Sequence, residues 1–198
     1  MEHKMTLETL KLRLKGERAL LLHNGQLADG DNGFTKAIKE ITGKGAKNRT
    51  EAENNELKKL EWLGGLYLNE RGLICVTEDM VLSCLERGAA SSAKLGKKVK
   101  AGVICTQLFF PIKYDGPKDP LTLYEAGKNI DRRMVGVNQK RIARVRPRFD
   151  HWSIDIELLI ETTTINIKSV IEAMEVSGRI VGLGDFRPRF GRFSTEKI

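Results

Sequence analysis

The sequence predicts an α+β fold: an antiparallel sheet covered by helices on one face and open on the other. Two segments alternate with a period of two, as half-buried strands do. In residues 5–15, Leu10, Leu12 and Leu14 oppose Lys11, Arg13 and Lys15; in 151–161, Trp152, Ile154, Ile156 and Leu158 oppose His151, Ser153, Asp155 and Glu157. Two further segments carry apolar residues at helical spacing, namely Met80, Val81, Cys84 and Leu85, and Ile167, Val170, Ile171 and Met174. Strands and helices follow one another in an order that pairs each helix with a strand on either side.

Gly16 ends the first strand. An apolar stretch, Ala19 to Leu22, runs into His23-Asn24-Gly25, and Asp29-Gly30-Asp31-Asn32-Gly33 is dense turn chemistry. Phe34, Ala37, Ile38 and Ile41 predict a helix to Thr42, followed by a basic, glycine-bearing loop over residues 43–49. Thr50 is the expected N-cap of a helix over Glu51 to Leu63. Residues 66–76 read as a hairpin turning at Asn69–Gly72, and Thr77 caps a helix from Glu78 to about Ala90. Lys94 to Lys100 reads as a loop with four lysines, and the apolar run Val103–Ile112 as a central strand. The basic segment 132–148 is extended, and Gly178 is the expected stop of the helix that begins near Asn166. A glycine loop over 181–193 and a short strand close the chain. Residues 1–198 thus read as a single domain with an insertion at about 16–76. With the insertion set aside the order is β-α-β-β-α-β, the ferredoxin-like split motif. Its open sheet face is the surface on which RNA-recognition domains hold their ligands.

Composition narrows the function classes. Of 198 residues, 40% are apolar and 30% charged, the balance of a chain that buries a core. No apolar run reaches the roughly 20 residues of a membrane span, and no membrane partner is expected. The N-terminal residues lack the apolar stretch of a secretory signal. Cys75, Cys84 and Cys105 show no metal spacing and read as reduced core thiols of a cytoplasmic protein. Lysine and arginine total 34 against 26 acids, a net charge of +8 that favours polyanionic partners.

Three features bear on chemistry. The first is a basic run, Arg132, Arg133, Lys140, Arg141, Arg144, Arg146 and Arg148, with no acid between Asp131 and Asp150. Residues two apart in a strand share a face, so Arg144, Arg146 and Arg148 line up as a strip suited to phosphates. The competing reading is a solvated edge strand whose arginines pair with carboxylates. The second is the loop holding Gly182, Gly184 and Gly191, in which Arg187, Arg189 and Arg192 interleave with Phe186, Phe190 and Phe193. Charge alternating with aromatic surface is what single strands use, and glycines permit close backbone approach. The competing reading is a structural connection with its phenylalanines in the core. The loop follows a helix, unlike a dinucleotide fingerprint, and lacks the GK[ST] of a phosphate-binding P-loop. Lys97 and Lys98 join the expected nucleic-acid contacts. The third is the loop system of residues 23–49, with Lys44, Lys47 and Arg49. His23 is the candidate general acid or base there; His3 and His151 have no partner in sequence either. Asp29 and Asp31 read as turn formers rather than metal ligands. No cofactor or metal is expected.

Several pieces carry a family likeness: Leu22-His23-Asn24-Gly25-Gln26-Leu27-Ala28-Asp29, Gly64-Gly65-Leu66-Tyr67, Lys98-Val99-Lys100-Ala101-Gly102-Val103, Arg144-Val145-Arg146-Pro147-Arg148-Phe149-Asp150-His151-Trp152 and Val181-Gly182-Leu183-Gly184-Asp185-Phe186-Arg187-Pro188. In these the chain resembles a group of small phage and prophage proteins without settled function. The glycine loop between the last helix and last strand also resembles that of the RAMP superfamily of CRISPR-associated RNA-binding proteins, although six residues, Asp185 to Phe190, precede Gly191. The resemblance implies a RAMP-like fold and non-catalytic binding of RNA or single-stranded DNA, with copies assembling along the strand, in the host cytoplasm for a phage-encoded chain. Two alternatives stay open. One is a metal-independent endoribonuclease using His23; the other is a phage structural or host-interaction protein with an acidic partner.

Overall fold

A computed structural model of the protein describes residues 6–137 and 140–198; for Val137 and Lys140 it describes the backbone. In chain order the first elements are β1 (Leu7–Gly16), β2 (Leu20–Leu21), α1 (Gly33–Gly43), α2 (Glu51–Gly64), β3 (Cys75–Thr77), α3 (Glu78–Ala93) and α4 (Gly96–Gly102). Then come β4 (Val103–Cys105), β5 (Phe109–Pro111), β6 (Lys113–Tyr114), α5 (Pro120–Glu125), β7 (Ile130–Val137), β8 (Lys140–Phe149), β9 (Trp152–Glu161), α6 (Ile167–Ile180) and β10 (Phe193–Lys197). They fall into two compact units. One is Met1–Leu20, Leu68–Asp115 and Asp150–Ile198; the other is Leu21–Tyr67 and Gly116–Phe149. The second unit therefore takes in much of the insertion expected at about 16–76 and adds a later segment to it.

The first unit is α+β and ferredoxin-like. Its sheet runs in the order β10-β1-β9-β4, all pairs antiparallel, with β6 pairing the other end of β9. With α3 between β1 and β4 and α6 between β9 and β10, this is the β-α-β-β-α-β order that the sequence predicts. Period two puts Leu10, Leu12 and Leu14 of β1 on the same face as Ile154, Ile156, Leu158 and Ile160 of β9, and all are buried. Val81, Cys84, Leu85 and Ala89 of α3 and Val170, Ala173 and Met174 of α6 are buried with them. Each of the valine, leucine, isoleucine and methionine side chains among them contributes about 1.5–3 kcal/mol on leaving water. The helix starts are capped as their sequences dictate. Thr77 accepts from the Met80 N–H and Asn166 from the Ser169 N–H, and Glu78 and Asp79 sit in the first turn of α3, where the helix dipole favours them. The three cysteines are buried; burial pushes the Cys84 and Cys105 thiols up to about 12 and that of Cys75 to about 11, so all stay protonated.

The opposite face of the sheet is a ladder of cross-strand ion pairs. Lys11 meets Glu157 at 2.9 Å, Arg13 meets Asp155 at 2.6 Å, and Lys15 meets Glu196 at 2.6 Å. Lys113 adds a second cation on Asp155 at 2.5 Å. Hydrogen bonds from Arg13 and Lys113 hold the Asp155 carboxyl far below the usual carboxylate range. Leu7, Thr9, Ile104, Ser153, Leu159, Glu161 and Ser194 also stand on this face, and no aromatic ring does among the described residues. It is not the stacking platform that an open ferredoxin-like sheet offers in RNA-recognition domains.

Four local expectations change. Residues 94–100 are not a loop throughout: α4 forms there because Val99 is 1% exposed and gives the lysine-rich turn something to bury, although the glycines at both ends read as breaks. The apolar run 103–112 is not one central strand. It breaks into β4 at the sheet edge and β5, which leaves to pair with β3. That leaves only the bridge Leu68↔Ile74 of the hairpin expected over 66–76. Gly178 does not stop α6 but lies inside it, where an added Cβ would sit 2.0 Å from the Phe193 carbonyl oxygen.

Two outcomes follow. Gly178→Ala gains about 1 kcal/mol of helix propensity but must displace backbone. The net is a loss of about 1–3 kcal/mol, read as a lower urea midpoint; an unchanged or raised midpoint would show that β10 can move away. Asp155→Asn lowers Tm at pH 7. Because the native carboxyl titrates below its unfolded value of about 3.9, the ion-pair stability is fully present above that value. The gap between wild type and variant therefore shrinks as pH falls below about 4; a gap independent of pH would contradict the ladder.

Candidate nucleic-acid interface

The second unit is built around a three-stranded sheet ordered β2-β8-β7. Its core holds Leu21, Leu22, Trp62, Leu66, Leu123 and Phe149, all 2% exposed or less. Trp62 donates its indole N–H to the Asn129 carbonyl at 2.8 Å and stacks tilted on Tyr124, with ring centroids 5.5 Å apart. The Leu22 N–H donates to the Pro147 carbonyl at 3.1 Å. The His23-Asn24-Gly25-Gln26 piece is a clamp on the end of α2. Asn24 Nδ2 donates to the Leu66 carbonyl at 2.8 Å and Gln26 Nε2 to the Gly64 carbonyl at 2.9 Å. Asn24 also accepts the Gln26 N–H, and Asn32 caps α1 through the Phe34 N–H. Thr50 and Glu53 close a reciprocal capping box at the start of α2. Asp29 accepts the Asp31 N–H at 2.9 Å, the work of a turn former.

The basic segment is a hairpin. The register pairs Asp131 with Arg146 and Arg133 with Arg144, so these four share a face with Arg148. Arg144, Arg146 and Arg148 do line up on one side, but not as an open strip, because two carboxylates are built into the row. Glu61 of α2, 6% exposed, accepts from Arg144 Nη1 at 2.5 Å and from the Val145 N–H at 3.0 Å. Asp131, also 6% exposed, accepts both arms of the Arg133 guanidinium and lies 3.9 Å from Arg148 Nη1. Arg146 is 8% exposed. Arg132 lies on the other face, opposite Val145, and is exposed, as is Arg141. The Lys140 side chain and His3 lie outside the described residues.

On the arginine side the hairpin, α1 and the 3-10 turn at Gly25–Ala28 enclose a cavity of about 520 Å³. Leu27 of the turn and Ile38 of α1 line it together with Val135 and Ile142 of the hairpin, and Glu61, Arg144 and Arg146 also line it. His23, Lys39, Thr35 and Thr42 complete the lining. Thr35 donates its hydroxyl to the Gln26 carbonyl and Thr42 to that of Ile38, so each keeps its oxygen as an acceptor. Glu61 is the residue that sequence reasoning missed here. Its signal was present: it stands on the stripe of Leu57, Leu60 and Gly64, where a carboxylate needs a buried partner.

The glycine loop belongs to the first unit. Gly182, Gly184 and Gly191 have φ of 77°, 73° and 71°, the left-handed region. The close approach they permit is to the loop itself. The Leu183 N–H donates to the Gly191 carbonyl at 2.9 Å, and an added Cβ on Gly191 would lie 1.8 Å from the Leu183 oxygen. Phe193 is core, edge-on to Trp152 with centroids 6.3 Å apart. Arg189 and Arg192 are exposed, Arg187 is partly so, and Phe186 is 37% exposed. Arg192 Nε donates to the Pro188 carbonyl at 2.9 Å. An open groove of about 420 Å³ beside the loop is lined by Arg87 and Arg187 with Ile180 and Pro188. Lys97 and Lys98 are exposed on α4 of the same unit.

No protein-family model and no curated protein matches the chain. Among solved structures it is similar to Cmr6 from Pyrococcus furiosus at 9% identity and a TM-score of 0.35, over 97% of this chain and 100% of that one.

Replacing Glu61 by Leu strands the Arg144 guanidinium and the buried Val145 N–H. Arg144 is about one-third exposed, which moderates the penalty. The variant is expected to lose about 1–3 kcal/mol in urea unfolding; a loss within experimental error would mean that the Arg144–Glu61 pair does not organise the hairpin.

Proposed function

We propose that the chain binds RNA or other single-stranded nucleic acid without chemistry, through the basic hairpin of one unit and the Gly/Arg/Phe loop of the other. The observation that carries this reading is the distribution of charge. Residues 116–149 hold nine lysines and arginines against three acids, and so supply most of the chain's net +8. Asp131 and Glu61 cannot neutralise that surplus. Arg132 and Arg141 carry it to the surface, suited to phosphates by the planar fork of the guanidinium. In the other unit Arg187, Arg189 and Arg192 stand beside the exposed part of Phe186, a pairing of charge with a stacking surface. Lys97 and Lys98 extend the contacts. The open sheet face, being neutralised by its own ion pairs, has no part in it. Copies assemble along a bound strand, and the gene is of phage or prophage origin, as the resemblance of the sequence pieces implies.

Anisotropy of labelled single-stranded RNA and DNA, titrated at several salt concentrations, tests this. The log–log slope is expected to be about −0.7 per phosphate engaged. Arg132→Gln with Arg141→Gln weakens binding for every sequence and makes the slope shallower, and Arg189→Gln with Arg192→Gln does the same. A flat salt profile contradicts the reading, and binding to an acidic protein alone would replace it. Strands recovered intact on a denaturing gel support binding without chemistry; cleavage in EDTA that His23→Ala abolishes would make the chain a ribonuclease instead.

A further inference from the structure

We infer that the cavity of the second unit is a site for one nucleotide, its base held against the apolar walls and its phosphate by the guanidiniums of Arg144 and Arg146. The choice of a nucleotide among anions with a flat apolar body rests on the nucleic-acid reading above; the site itself rests on the cavity.

Its volume of about 520 Å³ falls within the roughly 300–1,000 Å³ of small-ligand sites. Leu27 of the 3-10 turn, Ile38 of α1 and Val135 and Ile142 of the hairpin give the cavity an apolar lining drawn from three elements, the setting in which a planar heterocycle loses its hydration. Beside them the lining is cationic. Lys39, Arg144 and Arg146 bring three positive charges to the single negative charge of Glu61. Arg146 is 8% exposed, so an anion reaching it meets a donor sheltered from bulk water, where a charge-assisted hydrogen bond is stronger than on an open surface. Thr35 and Thr42 have committed their protons to backbone carbonyls and offer oxygen lone pairs to N–H groups on a base edge. An apolar slot, a sheltered cationic end and acceptor-only hydroxyls together match a nucleotide better than inorganic phosphate, which leaves the walls unused.

The nucleotide can come from a bound strand, splayed out of its stack, or from solution. Calorimetry of the whole protein with AMP, CMP, GMP and UMP, with inorganic phosphate and with uridine, separates the parts. At least one mononucleotide is expected to bind, with phosphate alone and nucleoside alone each weaker by about tenfold or more. Ile38→Trp and Ile142→Trp fill the cavity from two different elements, α1 and β8, and leave every charge in place. Both are half-exposed positions, and retention of the native circular dichroism spectrum confirms each fold. Each filler is expected to reduce mononucleotide binding by about tenfold. A parallel loss of single-strand affinity at unchanged salt slope identifies a nucleotide of the strand; unchanged strand affinity identifies the free nucleotide. Mononucleotides that fail to bind, or bind no better than phosphate, while both fillers leave strand affinity unchanged, overturn the site. Salt-sensitive strand binding that persists in that case leaves the nucleic-acid reading standing. Mononucleotide binding without any strand binding removes that reading and keeps the site.

Discussion

A row of guanidiniums on one face of a two-stranded hairpin can turn toward protein only if negative charge meets it there, because burying an unpaired cation costs far more than a domain can recover. In the second unit two carboxylates meet that condition. Asp131 comes from the hairpin itself, cross-strand from Arg146, and Glu61 comes from α2. Glu61 fixes register as well as charge, since one of its oxygens takes the Arg144 guanidinium and the other the neighbouring Val145 N–H. The hairpin is thereby tied to the same C-terminal end of α2 that the Asn24–Gln26 clamp holds. The cavity lined by Glu61, Arg144 and Arg146 follows from that attachment, and so does the division of the arginines into an inner row and the outer pair Arg132 and Arg141.

The first unit handles charge in the opposite way. Its sheet is equally rich in ionisable side chains, but they alternate in sign across strands and cancel. Lys11, Arg13 and Lys15 find Glu157, Asp155 and Glu196. What it leaves open to a polyanion is the surface of the glycine loop and of α4. The loop's shape comes from its own backbone, since Gly182 and Gly191 adopt left-handed conformations that let the two arms of the loop bond across at Leu183 and Gly191. Its glycines are spent on closing the loop, which leaves side chains, not bare backbone, to meet a ligand.

The sequence made some of this legible and not the rest, for physical reasons. β1 and β9 announce themselves because period two survives wherever one face is buried, and Leu10 to Leu14 and Ile154 to Leu158 are buried throughout. The starts of α2 and α3 are equally plain, since Thr50 with Glu53 and Thr77 are local signals that need no tertiary partner. An apolar run such as Val103–Ile112 says only that it is buried, not against what, so its split between a sheet edge and a separate pair with β3 was hidden. Gly178 looks the same as a helix stop and as a contact point in mid-helix; only the Phe193 backbone decides. The joining of residues 116–149 to 21–67 has no local signature, because it depends on long-range contacts such as Leu22 with Pro147. The arginine strip was foreseen as a strip, since alternation is local, but its two carboxylates lie in other elements or at its edge.

Photo-crosslinking tests the central claim most directly. A single-stranded RNA carrying 4-thiouridine would be bound to the protein, irradiated, digested and mapped by mass spectrometry. The account predicts adducts on peptides from residues 130–149 and 182–193, and none on the paired sheet face of β1 and β9. Adducts confined to that face, or none at low salt, would contradict it.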